Sequence, residues 1–354
     1  MVFKQTDRVF SKLTVLFFAI CMVCCANVMS QSPDYDSTYY QSFPKHITYR
    51  FFFAQKFTGV ALQRNAYAAN FRYLPNTTVN IGIGATYKIV TVSLGYGLEF
   101  LKSDQLKGKT KYLDLQARIY PRKWVIDLFG QFYKGYYLSP KGLAATDRDS
   151  YYIRPDLKIN LMGVAAYRLL NPSQFSYRAP FLQNEKQKRS AGTFLAGAEL
   201  YYGVIAADSS LVPTAISGLN SQNGVRAIRF FKMGAGAGYA YTFVVKKDFF
   251  LTGSFTGSLG FDYSRQNGGK GDGDKYSVSA GYIYRLIAGY DKNNWNINFS
   301  LVGNSLSTKA SDLNDKYYIN VGTHRVTLAR RIKIGKRLKR NLQPIDDLLP
   351  KSAK

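Results

Sequence analysis

Histidine, the side chain that most often serves as a catalytic base, is scarce in this chain. Its two histidines are His46 and His324. A hydrolase needs a base beside a nucleophile, generally a histidine held by a carboxylate. His324 is followed by a strongly basic run, residues 325–340, and no evident serine and carboxylate partners accompany it. The sequence therefore favours a structural polar role for His324 and predicts that the protein is not an enzyme.

Three glycine-rich stretches have some features of ligand-binding loops, but each lacks an essential part. Residues 268–274 (GGKGDGD) lack the spaced oxygen ligands and the terminal Glu of a calcium loop. Residues 107–110 (KGKT) lack the first glycine of a phosphate-binding loop. Residues 234–238 (GAGAG) lie within a strand pattern and open no helix, as a dinucleotide site requires. The sequence predicts no cofactor and no metal site.

The first thirty residues have the pattern of a secretory signal peptide. A basic segment precedes the apolar run 13–23, and small or polar residues follow it, so we expect cleavage near Ser30. All three cysteines lie in or beside this segment. The rest of the chain therefore predicts neither a disulfide framework nor a Cys-ligated zinc site. A lipoprotein acylated on Cys24 or Cys25 is the less favoured alternative.

Composition places the exported chain among strand-rich proteins with an anionic partner. No run of about eighteen apolar residues follows the signal, so no spanning helix is predicted. The chain holds 28 Tyr, 24 Phe and 30 Gly, and its formal net charge is +26. For an exported chain this charge favours a phosphate-bearing membrane surface over nucleic acid. The predicted partners are outer-membrane lipid, lipopolysaccharide and the barrel-assembly machinery, with no nucleic acid.

Twelve segments alternate apolar and polar residues with a period of two. In residues 251–263, for example, Leu251, Phe255 and Leu259 share one face, and Thr252 and Ser254 lie on the other. The segments are longer than the five or so residues common in soluble strands. We therefore predict an all-β fold, a transmembrane antiparallel up-and-down β-barrel of about 12 strands with apolar residues facing lipid. A secreted soluble β protein is the alternative.

The connections between these strands alternate in length. Short turns on one rim and long loops on the other are typical of outer-membrane barrels, whose long loops face outward. The predicted organisation is a signal peptide over residues 1–30, a periplasmic lead over 31–45, the barrel over 46–332 and a basic periplasmic tail over 333–354. The pattern leaves open whether residues 46–73 hold one strand or two.

One connection on the short-turn rim, residues 170–189, breaks this rule with about twenty residues. Either it folds into the bore as a plug or it is a solvated periplasmic loop, and the sequence does not choose between them. As a plug it offers donors and acceptors for inward-pointing charges: Arg178, Asn184, Glu185, Gln187 and Lys188.

Polar positions within the strands predict a set of lumen-lining side chains. They could form a ladder of charges that selects solutes. The favoured alternative is a structural network that fills a closed interior, because unpaired charges there are costly. The predicted set is Asp114, Arg118, Asp127, Gln131, Lys158, Arg168, Glu199, Lys232 and Arg285.

Several segments carry a resemblance to a known family. Residues 124–138, 151–156, 175–192 and 201–213 resemble a Bacteroidota family called domain of unknown function 4421, in particular the Tyr-Lys-Gly-Tyr-Tyr segment and Gln183-Asn184-Glu185. The resemblance implies an outer-membrane β-barrel and brings no known activity, substrate or catalytic residue.

Together these patterns predict a protein of the Gram-negative outer membrane that acts as a pore for small solutes or as a membrane scaffold. An outer-membrane enzyme acting on lipid or peptide is the competing class. A cluster of His, carboxylate and hydroxyl groups at the outer rim would distinguish it.

Overall fold

The computed structural model describes residues 35–63, 71–97, 104–219, 223–269, 273–309 and 316–343. The predicted signal peptide and the end of the predicted tail lie outside these residues. Within them, residues 35–332 form one compact unit, and the residues from Lys333 onward belong to a second unit.

The first unit consists almost entirely of β-strands, and every strand predicted from the alternation is present. The strands are β1 (Tyr40–Ser42), β2 (His46–Gln63), β3 (Phe71–Leu74), β4 (Asn80–Tyr87), β5 (Val90–Gly97), β6 (Lys111–Ile119), β7 (Trp124–Ser139), β8 (Ile153–Leu169), β9 (Glu185–Gln187), β10 (Ala191–Ala206), β11 (Ala227–Val245), β12 (Phe249–Asn267), β13 (Gly273–Lys292), β14 (Trp295–Lys309) and β15 (Lys316–Lys333).

Two short α-helices and two 3-10 helices, Gln105–Lys107 and Thr214–Leu219, complete the described elements. Helix α1 (Arg178–Leu182) lies between β8 and β9, and helix α2 (Lys336–Asn341) lies in the second unit with all its residues exposed. In the part of the chain that the structure describes, no helix has the length and apolar character to cross a bilayer.

The strands form a closed antiparallel barrel. From β7 to β15 each long strand pairs with its neighbour, β15 pairs with β2, and the short β3 joins β2 to β7, so that ten strands of the described chain close the ring. Residues 46–73 thus hold two strands, β2 and β3. Strands β12 and β13 have 19 and 20 residues, well above the roughly 9–11 that cross a bilayer. The barrel therefore extends past the membrane.

The outer face of the barrel is apolar. Along β12 the side chains of Phe255 and Leu259 are 56% and 67% exposed, whereas Thr256 between them is fully buried. Similar exposed apolar residues lie on nearly every long strand. Such a belt is stable against hydrocarbon and unstable against water, so the fold is that of a transmembrane β-barrel.

The rim with the long loops encloses an apolar core, which the sequence did not predict. Leu161, Tyr201 and Ile319 from three strands meet Leu211 and Val212 from the loop between β10 and β11, and all five are buried. This half of the bore is therefore packed like a protein interior. The loop after β10 contributes to closing it.

This core reverses the predicted facing of strand β8. In β8 the apolar residues Leu157, Ile159 and Leu161 point inward, while Lys158 and Arg168 are exposed on the outer face. The prediction that Lys158 and Arg168 line the lumen is wrong. Its premise was that apolar residues face lipid, but here they fill the core, and long cationic side chains near strand ends can extend to the interface.

Candidate functional site

Residues 170–189 are here called the inner segment, and their middle part, residues 175–187, lies inside the short-turn half of the barrel. Phe175, Tyr177 and Phe181 are buried in one cluster with Ile283 and Ile287, which project inward from β13. The rings of Tyr177 and Phe181 stack with centroids 4.7 Å apart. The aromatic side chains of the segment supply the apolar area that holds it in the bore.

Arg285 of β13 connects the inner segment to the barrel wall. Its guanidinium donates from Nη1 to the hydroxyl of Tyr177 at 2.9 Å and from Nη2 to the carboxylate of Asp127 at 2.5 Å. Tyr120 donates to the other oxygen of Asp127 at 2.7 Å, and Tyr177 donates to Ser254 at 3.1 Å. The buried pair therefore has the additional hydrogen bonds that a charge in the interior requires.

A second buried guanidinium, that of Arg331 in β15, holds the end of the inner segment. It donates from Nε to the backbone carbonyl of Gln183 at 2.7 Å and from Nη1 to Asp291 at 2.9 Å. Asn296 donates to the other oxygen of Asp291 at 2.9 Å. Because Gln183 has a left-handed backbone and ends α1, this contact fixes the point where the segment turns back towards the rim.

The short-turn rim adds contacts with the turn residues and with the lead. β9 of the inner segment pairs with β1, so that residues 35–42 are joined to it. Lys186 donates from Nζ to Asp248 in the turn between β11 and β12 at 2.8 Å. This hydrogen bond from the Lys186 ammonium holds the pKa of Asp248 below its usual value.

The five residues predicted for a plug all make contacts at this rim. Four of them are buried or partly buried. Arg178 and Asn184 donate to the backbone carbonyl of Lys88 at 3.1 and 2.6 Å. Glu185 is buried, with Arg178 Nη1 at 3.4 Å. Gln187 donates to the carbonyl of Gln174 at 2.7 Å. Lys188 is the exposed member of the set and donates to the carbonyl of Ser37 at 2.8 Å.

The centre of the bore holds two of the predicted lumen residues, Glu199 and Lys232. Glu199 accepts hydrogen bonds from Tyr167 and, at 2.9 Å, from Ser258. Lys232 is buried and donates to the carbonyl of Ala280 at 2.8 Å. Its cross-strand neighbour Asp262 lies on the polar face of β12 but was not in the predicted lumen set. These residues form a buried polar layer between the apolar core and the inner segment.

Two more predicted residues, Asp114 and Gln131, pair near the join of β6 and β7. Asp114 accepts from Lys56 Nζ at 2.7 Å, from Gln131 at 3.1 Å and from the Tyr133 hydroxyl at 3.2 Å. Lys56 was not predicted, because the alternation in β2 is irregular.

The sequence also missed a break in the barrel wall, which we call the seam. Strand β5 pairs with β4 and strand β6 pairs with β7, but no backbone pairing joins β5 to β6 within the described residues. The seam is bridged towards the long-loop rim, where Tyr112 donates to Asn80 at 2.9 Å and the backbone of Asn76 donates to Thr110 at 2.8 Å.

A cavity of about 1150 Å³ lies behind the seam. Its lining includes the predicted residues Arg118 and Asp114, together with Arg50 and Arg325. Arg325 stacks over the ring of Phe52, with its guanidinium carbon 3.5 Å from the ring centroid. Phe52 takes this position because its neighbour is a glycine, as a Cβ at Gly82 would lie 2.2 Å from the ring. No sequence pattern indicated these arginines.

The two histidines lie apart from this cavity's lining. His46 begins β2 and packs against the ring of Phe43 with centroids 5.6 Å apart. His324 lies on the outer face of β15 and stacks against Phe57 with centroids 5.9 Å apart. In the described part of the chain, no group of three His, Cys, Asp or Glu side chains has the arrangement of a metal site.

Solved structures that share features with the fold include several barrels. The outer membrane protease OmpT from Escherichia coli is 10% identical and has a TM-score of 0.39, with 82% of this chain and 98% of that chain covered. Neisserial surface protein A is 12% identical with a TM-score of 0.24, with 60% and 98% covered. The attachment invasion locus protein Ail of Yersinia pestis is 9% identical with a TM-score of 0.19, with 81% and 99% covered.

Comparison of the sequence with curated proteins returns no match. A family profile, in contrast, matches residues 34–329, which include every strand of the barrel except the last four residues of β15. The segments whose resemblance was noted in the sequence all lie in this range. The chain therefore belongs to the family described as Domain of unknown function (DUF4421).

Proposed function

We propose that this protein is a non-enzymatic barrel of the outer membrane whose bore is closed, and that it serves as a membrane scaffold rather than as a free-diffusion pore. The short-turn rim then faces the periplasm and the long loops face outward, as in barrels of this class. The lipid and lipopolysaccharide of that membrane are its immediate surroundings.

One observation carries the proposal: along β12 the inward side chains are shielded from one rim to the other. On β12 the inward residues Ser254, Ser258 and Ser264 are 6%, 5% and 1% exposed. The long-loop core lies at one end of this line and the inner segment lies at the other. A pore needs a continuous row of wet side chains, as in the water-filled porins.

The polar residues of the bore support the same proposal. Arg285, Glu199 and Lys232 each have protein partners at hydrogen-bond distance, as a network that fills an interior requires. A ladder that conducts ions needs charges that exchange water and solute.

Thiol labelling in lipid vesicles tests the closed bore. Ser254→Cys and Ser258→Cys, introduced separately into a chain without the three native cysteines, place a near-isosteric thiol in the bore. We expect a charged methanethiosulfonate reagent to modify both at least about a hundredfold more slowly than Ser209→Cys, because thiols reached only through local opening are protected. Ser209 lies exposed in the loop after β10 and is the matched control. Rapid labelling of both bore positions would contradict the proposal.

A further inference from the structure

The seam leaves two strand edges without backbone partners at membrane depth. β5 and β6 each pair on one side only in the described residues. Open sheet edges are not stable in contact with hydrocarbon, and non-paired backbone at this depth is tolerated where it lines a polar cavity. The cavity behind the seam fulfils this condition, because Thr91, Ser93 and Gln116 contribute to its wall.

This cavity is strongly basic. Six cationic side chains line it: Arg50, Lys56, Lys109, Lys111, Arg118 and Arg325. Among the described lining residues Asp114 is the only carboxylate, and it is paired with Lys56. Five cations therefore line the wall without a carboxylate to balance them. An uncompensated cluster of this kind is costly in a membrane and requires an anion.

The three arginines are placed to bind one anion together. Arg50, Arg118 and Arg325 all contribute to the wall of this one cavity. Arg50 uses two nitrogens on neutral acceptors, among them the side-chain oxygen of Gln183 at 2.6 Å. Arg325 has its Nε buried without a hydrogen-bond partner, and no ion pair of Arg118 occurs in the described structure. Guanidinium groups bind the oxygens of phosphate and carboxylate in pairs, which gives such a cluster its specificity.

The cavity also has the apolar surface that the remainder of an amphiphile needs. Phe52, Phe181 and Ile287 contribute to its wall. Outside the seam, Leu94 of β5 and Leu113 of β6 are 70% and 55% exposed to the lipid side. A hydrocarbon chain lying between these two strands would therefore meet apolar side chains.

We propose that the cavity binds the phosphate headgroup of a membrane lipid, which enters sideways between β5 and β6 while its acyl chains remain in the bilayer. Arg50, Arg118 and Arg325 bind the phosphate oxygens. The site adds a ligand to the proposed scaffold and rests on the barrel being in a membrane, but it does not rest on the bore being closed.

Binding of short-chain lipids to the detergent-refolded full chain tests the site. Dihexanoyl phosphatidic acid is compared with dihexanoyl phosphatidylcholine and with inorganic phosphate by titration calorimetry. We expect the phosphatidic acid to bind at least about tenfold more tightly than either, because two charge-assisted hydrogen bonds and the acyl chains act together. Equal affinity for inorganic phosphate would overturn the assignment to a lipid, and equal affinity for phosphatidylcholine would overturn the role of the arginine cluster.

Substitution of the arginines locates the site. Arg118→Gln with Arg325→Gln is expected to weaken binding of the phosphatidic acid about tenfold or more, since each guanidinium contributes charged hydrogen bonds. Arg168→Gln on the outer face is the matched control and leaves the affinity unchanged. The heat-dependent gel mobility of each variant reports whether the barrel has folded. Unchanged affinity in a folded double variant would overturn the proposal.

Closing the seam tests the route. Ser93→Cys and Gln116→Cys, joined by a bismaleimide in the chain without native cysteines, tie β5 to β6. We expect the cross-link to slow binding of dipalmitoyl phosphatidic acid from vesicles at least about tenfold relative to the same variant without cross-linker, as a gated binding site does. An unchanged rate would overturn access through the seam. Neither result depends on whether the bore conducts, so failure here and failure of the closed bore are distinguishable.

Discussion

Arg285 joins three parts of the molecule that are distant in the chain. It bridges β13 to Asp127 of β7 and to Tyr177 of the inner segment, with the guanidinium buried. A cation at this depth is stable only with its partners in place. Removing one member of the pair therefore costs more than the net contribution of the pair itself.

We predict that Arg285→Gln lowers the free energy of unfolding by about 3 kcal/mol or more, because Asp127 is left as a buried charge without its cation. Urea unfolding of the barrel from lipid vesicles measures the change. The double variant Arg285→Gln with Asp127→Asn should recover part of the loss, and Arg168→Gln serves as the exposed control. A single variant as stable as the control would contradict the assigned role.

The hydrogen bond from Lys186 to Asp248 predicts a pH dependence of the inner segment. The pKa of Asp248 is lowered in the folded protein. The ionised carboxylate therefore stabilises the fold at pH values above the pKa that Asp248 has in the unfolded chain, and this stabilisation is lost as the pH falls through the pKa that Asp248 has in the folded protein. We expect proteolysis of the inner segment at the rim to accelerate as the pH falls below about 4, the usual aspartate range. Asp248→Asn should remove that part of the pH dependence, and an unchanged acid profile in this variant would contradict it.

At the residue scale the sequence was informative where the alternation was regular. Asp127, Gln131, Glu199, Lys232 and Arg285 all lie inside the barrel, because each occupies a polar position opposite an apolar outer face. The prediction was wrong for Lys158 and Arg168 because it assumed that the apolar face of every strand contacts lipid. A period of two shows which residues share a face, but not which face is inside.

Strand β8 shows at the element scale how the interior decides the facing of a strand. Its residues Leu157, Ile159 and Leu161 fill the core below the long loops. Leu161 is fully buried, whereas Met162, its neighbour, is partly exposed on the outer face. Leu161 is therefore surrounded by protein, whereas Met162 contacts lipid.

We predict that Leu161→Ala destabilises the barrel by about 2–5 kcal/mol, because it leaves a cavity in packed protein. Met162→Ala lacks this cavity penalty, since lipid refills the vacated volume, and should cost at least about 1 kcal/mol less. Equilibrium unfolding from vesicles compares the two. A larger loss of stability for Met162→Ala than for Leu161→Ala would mean that Leu161 faces lipid and Met162 faces the interior, as the sequence pattern alone predicted.

The connecting elements divide into those that the sequence anticipated and those that it did not. The sequence indicated the inner segment as an unusual connection, because it is long and lies on the rim where the other connections are short turns. The pattern left a second strand in residues 46–73 open and did not predict the seam, because both depend on which edges meet across long sequence separations. Such pairing is set by tertiary packing, which a local alternation does not record.

At the scale of the whole molecule the chain is a transmembrane β-barrel with buried clusters in both halves of its bore. An apolar core, a buried polar layer and the inner segment follow one another along the bore. The described wall is interrupted at the seam, and there the lining is basic and accessible from the side. We propose that the molecule combines a closed path across the membrane with a phosphate-binding surface at the seam.

Planar bilayer recording tests the central claim most directly. The refolded chain is incorporated at increasing amounts, and the current is measured at moderate voltage. A closed bore predicts a baseline without steady conductance, because along β12 the inward side chains are shielded from one rim to the other. A stable ohmic current that grows with the number of inserted barrels would contradict the account.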